Sequence, residues 1–144
     1  DMPDTFAELK DNPALIPTFV EETLRVHSPF SVTIRKTTRD IEVAGVTIPA
    51  NEMLLPMIAC ANRDESVFDE PEKFKIDRNP NPHLAFGFGI HNCLGAHLAR
   101  LEGQIVAASM IKHMNGIKLK PGSENEFGQL GGPSTLNVAI EWAT

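Results

Sequence analysis

Phe86-Gly87-Phe88-Gly89-Ile90-His91-Asn92-Cys93-Leu94-Gly95 is the stretch from which the rest of the chain is read. Glycines before and after the cysteine mark a tight, kinked loop that delivers one sulfur to the start of a helix. From Leu94 on, apolar residues recur at Leu98, Leu101, Ile105 and Ala108, the spacing of one helical face. Cys93 is therefore expected at a helix N-terminus, where unpaired N–H groups and the macrodipole favour negative charge. Glycine lets backbone approach a ligand plane closely, so a sulfur at the mouth of this loop suits coordination to a large flat cofactor.

Three other readings of the same residues are weaker. Gly87-x-Gly89 lacks the third glycine of a dinucleotide fingerprint, Asn92 standing there, and no βαβ strand precedes it. His91, Cys93 and His97 would begin a zinc set, but structural zinc sites usually need four ligands with paired spacings. Cys60 and His83 are the candidates to complete one, and no motif places them. An inert buried cysteine would leave the glycines and His91 without a reason.

The loop resembles the haem-binding loop of the cytochrome P-450 family, aromatic-Gly-x-Gly-x-basic-x-Cys-x-Gly. Phe86, Gly87, Gly89, His91, Cys93 and Gly95 fill its fixed places, and Ala96-His97-Leu98-Ala99-Arg100-Leu101-Glu102 is similar to the soluble prokaryotic members. The resemblance runs from about Asp4 to Trp142 and corresponds to the C-terminal third of the family's fold. The implied class is α+β, mainly helical. Its parts are a helix with Glu-x-x-Arg, small β-hairpins, a meander, the Cys-ligand loop, a proximal helix and terminal strands. Residues 1–144 are expected to form one haem-ligating portion with no second domain. Nothing resembles the family's long distal helix, which manages oxygen protonation. Gly131-Gly132-Pro133-Ser134-Thr135 is too short and proline-broken to be it. The chain thus reads as a fragment.

Composition fits this class. With 144 residues the chain can bury about two-thirds of its unfolded surface, and 42% hydrophobic with 22% charged residues is ordinary for a soluble globular protein. A net charge of −6 without a basic stripe argues against nucleic acid as a partner. No apolar run is long enough to span a bilayer and no signal peptide opens the sequence; a cytoplasmic location is expected. Cys60 and Cys93 have neither metal nor redox spacing, and a disulfide between them would consume the proposed ligand.

Along the chain, Asp4 to Lys10 reads as a helix closed by Asp11-Asn12-Pro13, and proline opens the next helix. Its apolar stripe is Leu15, Ile16, Phe19, Val20, Thr23, Leu24 and His27. Glu22 and Arg25 are three apart on it and share a face. Taken alone they would be a solvated pair contributing a few tenths of a kcal/mol. By resemblance they are the family's buried Glu-x-x-Arg pair, joined by Arg78 and architectural rather than catalytic. After Pro29, residues 31–37 alternate as a strand on which Thr33 and Arg35 leave one face. Ile41 to Ile48 reads as a hairpin about Ala44-Gly45, Met53 to Leu55 as a short strand, and Ile58 to Asn62 as a short helix. Ala61-Asn62-Arg63-Asp64 resembles a family segment. Residues 64–85 carry prolines and no period, an irregular meander. The Cys93 helix is expected to run to about His113, stopped by Asn115-Gly116. Strands follow at Ile117 to Lys120 and Leu136 to Trp142.

The resemblance implies that Cys93 is the axial thiolate ligand of haem b (iron protoporphyrin IX). Phe86 is implied beside the sulfur, Gly87 and Gly95 are implied with it among the cofactor-binding residues, and backbone N–H groups near Gly95 would temper the sulfur's donor strength. Arg35, Thr33 and His91 are implied as partners of the haem propionates. Pro29 to Val32 and the Gly131-Gly132-Pro133 turn would border the substrate. The implied function is a monooxygenase inserting one oxygen atom of O2 into a small hydrophobic substrate. Electrons would come from a ferredoxin- or flavodoxin-like partner docking near Lys112, Arg100 and Lys73. The rivals are a haem-binding electron-transfer module without oxygenase activity, and a haem-free remnant that self-associates through exposed apolar surface.

Overall fold

A computed structural model describes residues 3–122, 126–127 and 133–143. The chain opens with helix α1 (Pro3–Asp11), which Asn12 and Pro13 end. A 3-10 turn (Pro13–Leu15) leads into α2 (Ile16–Val26). A short antiparallel pair, β1 (Arg35–Lys36) with β4 (Met53–Leu54), encloses a hairpin of β2 (Ile41–Val43) and β3 (Val46–Ile48). The hairpin turn has Ala44 at φ 48° and Gly45 at φ 79°, the primed geometry whose twist matches that of the strands it joins. Helix α3 (Ile58–Ala61) is followed by the meander, which has no regular element until the 3-10 turn Gly89–His91. Helix α4 (Ala96–His113) then runs directly into β5 (Met114–Leu119), which pairs with β8 (Val138–Trp142). A last pair joins β6 (Glu126–Phe127) to β7 (Pro133–Thr135).

The core lies where α1, α2, α4 and the meander meet. Leu9, Ile16, Val20, Ile76 and Ala107 are buried together, with Phe19, Leu24, Phe74 and Ile111 packed against them. The rings of Phe19 and Phe74 sit 5.9 Å apart and tilted, an edge-to-face type of contact.

The apolar spacing Leu94, Leu98, Leu101, Ile105 faces out of the core; these residues are exposed. The face of α4 that packs is made of small residues, with Ala96 and Ala107 buried. A Cβ at Gly103 would stand 3.1 Å from Val20 Cγ1, so α2 comes too close for a larger side chain there. The strand expected over residues 31–37 shrinks to Arg35–Lys36. Its partner reaches Pro56, which has no N–H to extend a ladder; only isolated bonds continue, Thr33 N–H to Pro56 O at 3.0 Å and Ala59 N–H to Ser31 O at 3.1 Å. His27 is not part of the buried stripe but an exposed cap with φ −118° and ψ 57°. Asn115-Gly116 does not stop α4, since both residues lie in β5 at a bulge. Leu136 precedes β8 and is exposed.

Candidate functional site

The cysteine loop is held by backbone bonds that its glycines permit. Gly87 N–H donates to Leu84 O at 2.8 Å, Asn92 N–H to Gly89 O at 3.1 Å, and Cys93 N–H to Phe86 O at 2.7 Å. Gly87 has φ +74° and Gly89 φ +61°. A Cβ on Gly87 would lie 2.7 Å from the His91 carbonyl oxygen, which is rigid backbone. Gly87→Ala should therefore combine left-handed strain with a clash and cost about 1–3 kcal/mol. A urea denaturation midpoint at or above the wild-type value would refute this account of the loop.

Cys93, expected at a helix N-terminus, stands just ahead of α4 rather than within it. Gly95 is the N-cap and Ala96 the first helical residue, so the cysteine stands two positions before the cap. Its carbonyl accepts the Ala96 N–H at 3.2 Å. The side chain is exposed and opens onto a cavity of about 350 Å³. Thr33, Arg35, Phe86, Gly87 and His91 line the same cavity, with Pro29, Phe30, Ile58 and Leu84 as apolar wall. The structure thus brings together residues from the extended segment after α2, from α3 and from the loop. Gly95 is not in the lining, although a Cβ on it would be 4.0 Å from Cys93 Sγ. Ser31 and Val32 are also outside it, and Gly131 and Gly132 lie outside the described residues.

These donors fit a haem. A single soft sulfur ligand stands at the mouth of an apolar recess, and two basic side chains and a hydroxyl border the same space. A zinc set is not formed: among the described residues, no three His, Cys, Asp or Glu side chains gather where they would hold a metal ion.

Behind the loop, Glu22, Arg25 and Arg78 converge. Arg25 donates from Nε and Nη2 to the two Glu22 oxygens, each at 2.8 Å. Arg78 Nε reaches the same carboxylate at 3.0 and 3.1 Å. The Lys75 N–H at 2.9 Å and Asn81 Nδ2 at 3.0 Å complete its partners. Glu22 and Arg25 are fully buried. Arg25 Nη1 also donates to the carbonyls of Asn62 and Pro71, and Arg78 Nη1 to that of Asp69, so the pair of guanidinium groups pins the meander to α2. Sequence reasoning missed Asn62 as a member. It is fully buried, its Oδ1 accepts the Leu84 N–H at 2.7 Å and its Nδ2 donates to Ser28 Oγ at 2.8 Å. Only its place in a family-like segment marked it.

A second polar cluster, also missed, touches the loop. Glu21 receives Arg100 Nε at 2.8 Å and Nη2 at 3.0 Å, and His83 Nε2 at 3.1 Å. The Ala85 N–H donates to His83 Nδ1 at 3.2 Å, which assigns the ring proton to Nε2 and makes it the donor to Glu21. Burial holds His83 below the ordinary imidazole range, with Glu21 only partly offsetting it. Burial would raise the Glu21 carboxyl, but the hydrogen bonds and charges of Arg100 and His83 bring it below its usual range. The Arg100 guanidinium is thereby engaged within the fold. Lys73, a second residue expected on the docking face, pairs with Glu70.

Comparison with known proteins gives one family. The chain matches the family model described as Cytochrome P450 over residues 5–127. It is 46% identical over 117 residues to the biotin biosynthesis cytochrome P450 of Bacillus subtilis (strain 168), covering 81% of this chain and 30% of that protein. CYP109E1 from Bacillus megaterium, solved in complex with testosterone, is similar with a TM-score of 0.89 at 38% identity, over 96% of this chain and 39% of that one. P450BioI, solved in complex with an acyl carrier protein ligated with hexadec-9Z-enoic acid, is similar with a TM-score of 0.89 at 41% identity, over 96% and 36%. The chain spans about a third of the length of the curated relatives it matches.

Proposed function

Because this chain belongs to the cytochrome P450 family, we propose that it is the haem-ligating portion of a monooxygenase. The reaction inserts one oxygen atom of O2 into a small hydrophobic substrate. The observation that carries this reading is the shared cavity, on which Cys93 opens together with Arg35, Thr33 and His91. Cys93 would supply the thiolate ligand of haem b, and Arg35, His91 and Thr33 would hold its propionates. Haem bound through a thiolate supplies dioxygen chemistry, the ligand's electron density favouring O–O cleavage.

The chain's own residues bind, orient and insulate. The bond from Cys93 N–H to Phe86 O holds the backbone that carries the sulfur. Phe30, Ile58 and Leu84 give the recess an apolar wall. Backbone N–H groups near Gly95 would temper the sulfur as a donor. Glu22, Arg25 and Arg78 hold the meander that leads to the loop, an architectural role. Electrons would come from a ferredoxin- or flavodoxin-like partner. Lys112 is the docking candidate that no ion pair within the described residues occupies. Apolar guests in two similar proteins, a steroid and a fatty acyl chain, support a hydrophobic substrate class here. A cytoplasmic setting is part of the proposal; among the described residues, no helix is long and apolar enough to cross a membrane.

Among the described residues there is no counterpart of the family's distal oxygen-activating helix, so these 144 residues alone should bind haem without hydroxylating. A haem-free, self-associating form is the second reading. It is favoured by the exposed Leu94, Leu98, Leu101 and Ile105, which form an apolar stripe of the kind that drives association. Haemin titration followed by reduction under carbon monoxide separates the two. A Soret band at the position of a thiolate-ligated haem supports the proposal, and a chain that takes up no haem and sediments as oligomers supports the second. Incubation with a fatty acid and a surrogate oxidant should yield no product from the 144 residues; measurable hydroxylation would overturn that part.

A further inference from the structure

Phe86 links Cys93 to a polar cluster outside the cavity. Its carbonyl accepts the Cys93 N–H at 2.7 Å, while its ring lies under the Arg100 guanidinium, 4.6 Å from Cζ to the centroid. The same guanidinium grips Glu21 of α2 through two hydrogen bonds. His83, whose side chain is 2% exposed, shares Glu21 and places its ring 6.1 Å from that of Phe86. The end of the meander, the loop and α4 therefore meet at one aromatic ring, and Glu21 ties α2 to the two polar side chains against it.

We propose that Arg100, clamped by Glu21 and laid across Phe86, is a positioning residue that sets the Cys93 sulfur through the Phe86–Cys93 backbone bond. A guanidinium does this where an ammonium would not. Its planar fork satisfies both carboxylate oxygens while its face stacks on the ring. Arg100 is about one-third exposed and Glu21 about one-quarter, so the clamp is partly shielded and its stacking contact keeps strength that a fully solvated pair would lose. The role is indirect, because Arg100 does not line the cavity onto which Cys93 opens.

The inference rests on the haem-thiolate reading only for its consequence at the iron, and its first test needs no haem. Amide hydrogen exchange is measured on the full chain for wild type, Arg100→Gln, Glu21→Gln, Phe86→Leu and the Arg100→Gln/Phe86→Leu double variant. Arg100→Gln should speed exchange at the Cys93 amide roughly tenfold, with α2 and α4 amides little changed, and Glu21→Gln should follow it from the other end of the clamp. With Phe86→Leu already present, Arg100→Gln should add almost nothing. Exchange at Cys93 unchanged in Arg100→Gln, raised only in step with the helices, or additive in the double variant overturns the proposal. In haem-loaded protein, Arg100→Gln should divide the ferrous-CO band between thiolate and neutral-thiol positions, with Arg100→Lys rescuing little. A single wild-type band in Arg100→Gln would also overturn it. A wild-type chain that binds no haem would defeat the haem reading and leave the exchange result standing.

Discussion

Cys93→Ala is expected to abolish the thiolate signature of the reduced, carbon-monoxide-treated protein and to weaken haem binding more than about 100-fold. That exceeds the 10–100-fold typical of losing a group that merely supports a ligand. The substitution is clean because Cys93 serves the loop through its backbone: its N–H bonds Phe86 O and its carbonyl takes the Ala96 N–H. Alanine keeps both bonds, so circular dichroism and the urea midpoint should stay near wild type. His91 lines the same cavity, and an imidazole replacing the sulfur would give a band at a different position, which the spectrum separates. Cys60 is the second cysteine and is absent from the cavity lining, so Cys60→Ala should leave the band untouched. If Cys93→Ala keeps the thiolate band, the sulfur is not the ligand and the proposed function falls with it.

What sequence could reveal depended on how local each cause was. The loop was legible because its glycines answer backbone demands within a few residues: Gly87 clears His91, four positions on. Glu22 and Arg25 were legible as neighbours because a helix sets three-residue spacing on one face. The long-range cluster was not, since Glu21, His83 and Arg100 stand 62 and 79 residues apart at its hydrogen bonds. Periodicity had a limit too. It identified an apolar face of the helix but not what lies against it: Ala96, Gly103 and Ala107 face the core, and the leucines do not. Alternation in residues 31–37 signalled a strand without revealing that Pro56 limits its partner. The class itself, helices with small β-pairs as in the C-terminal part of the cytochrome P450 fold, is what the similar structures show.

Glu22→Gln is expected to destabilise the chain by about 3–5 kcal/mol, the cost of leaving buried charge without its counterpart. Glutamine keeps the shape and an acceptor oxygen but removes the one anion shared by Arg25 and Arg78. Two guanidinium groups, one fully buried and one 9% exposed, would then face carbonyls alone. Arg78→Ala should cost less, because Glu22 retains Arg25, the Lys75 N–H and Asn81. Against a typical total of about 5–15 kcal/mol, the first variant stands near the threshold of folding and the second above it. The pH dependence separates charge from packing. Burial alone would raise the Glu22 carboxyl, yet hydrogen bonds from Arg25, Lys75 N–H and Arg78 outweigh it and hold it below the ordinary carboxylate range. A folded value below the unfolded one means the contribution is complete above about pH 4.5 and is lost as pH falls through the folded value. Wild type should therefore lose stability on acidification in a range where Glu22→Gln, with no proton to gain at that position, changes less. Urea unfolding at neutral and acidic pH measures both effects. A variant within about 1 kcal/mol of wild type, or one with the same acid slope, would mean that the cluster acts like a solvated surface pair and does not hold the meander and its cysteine loop to α2.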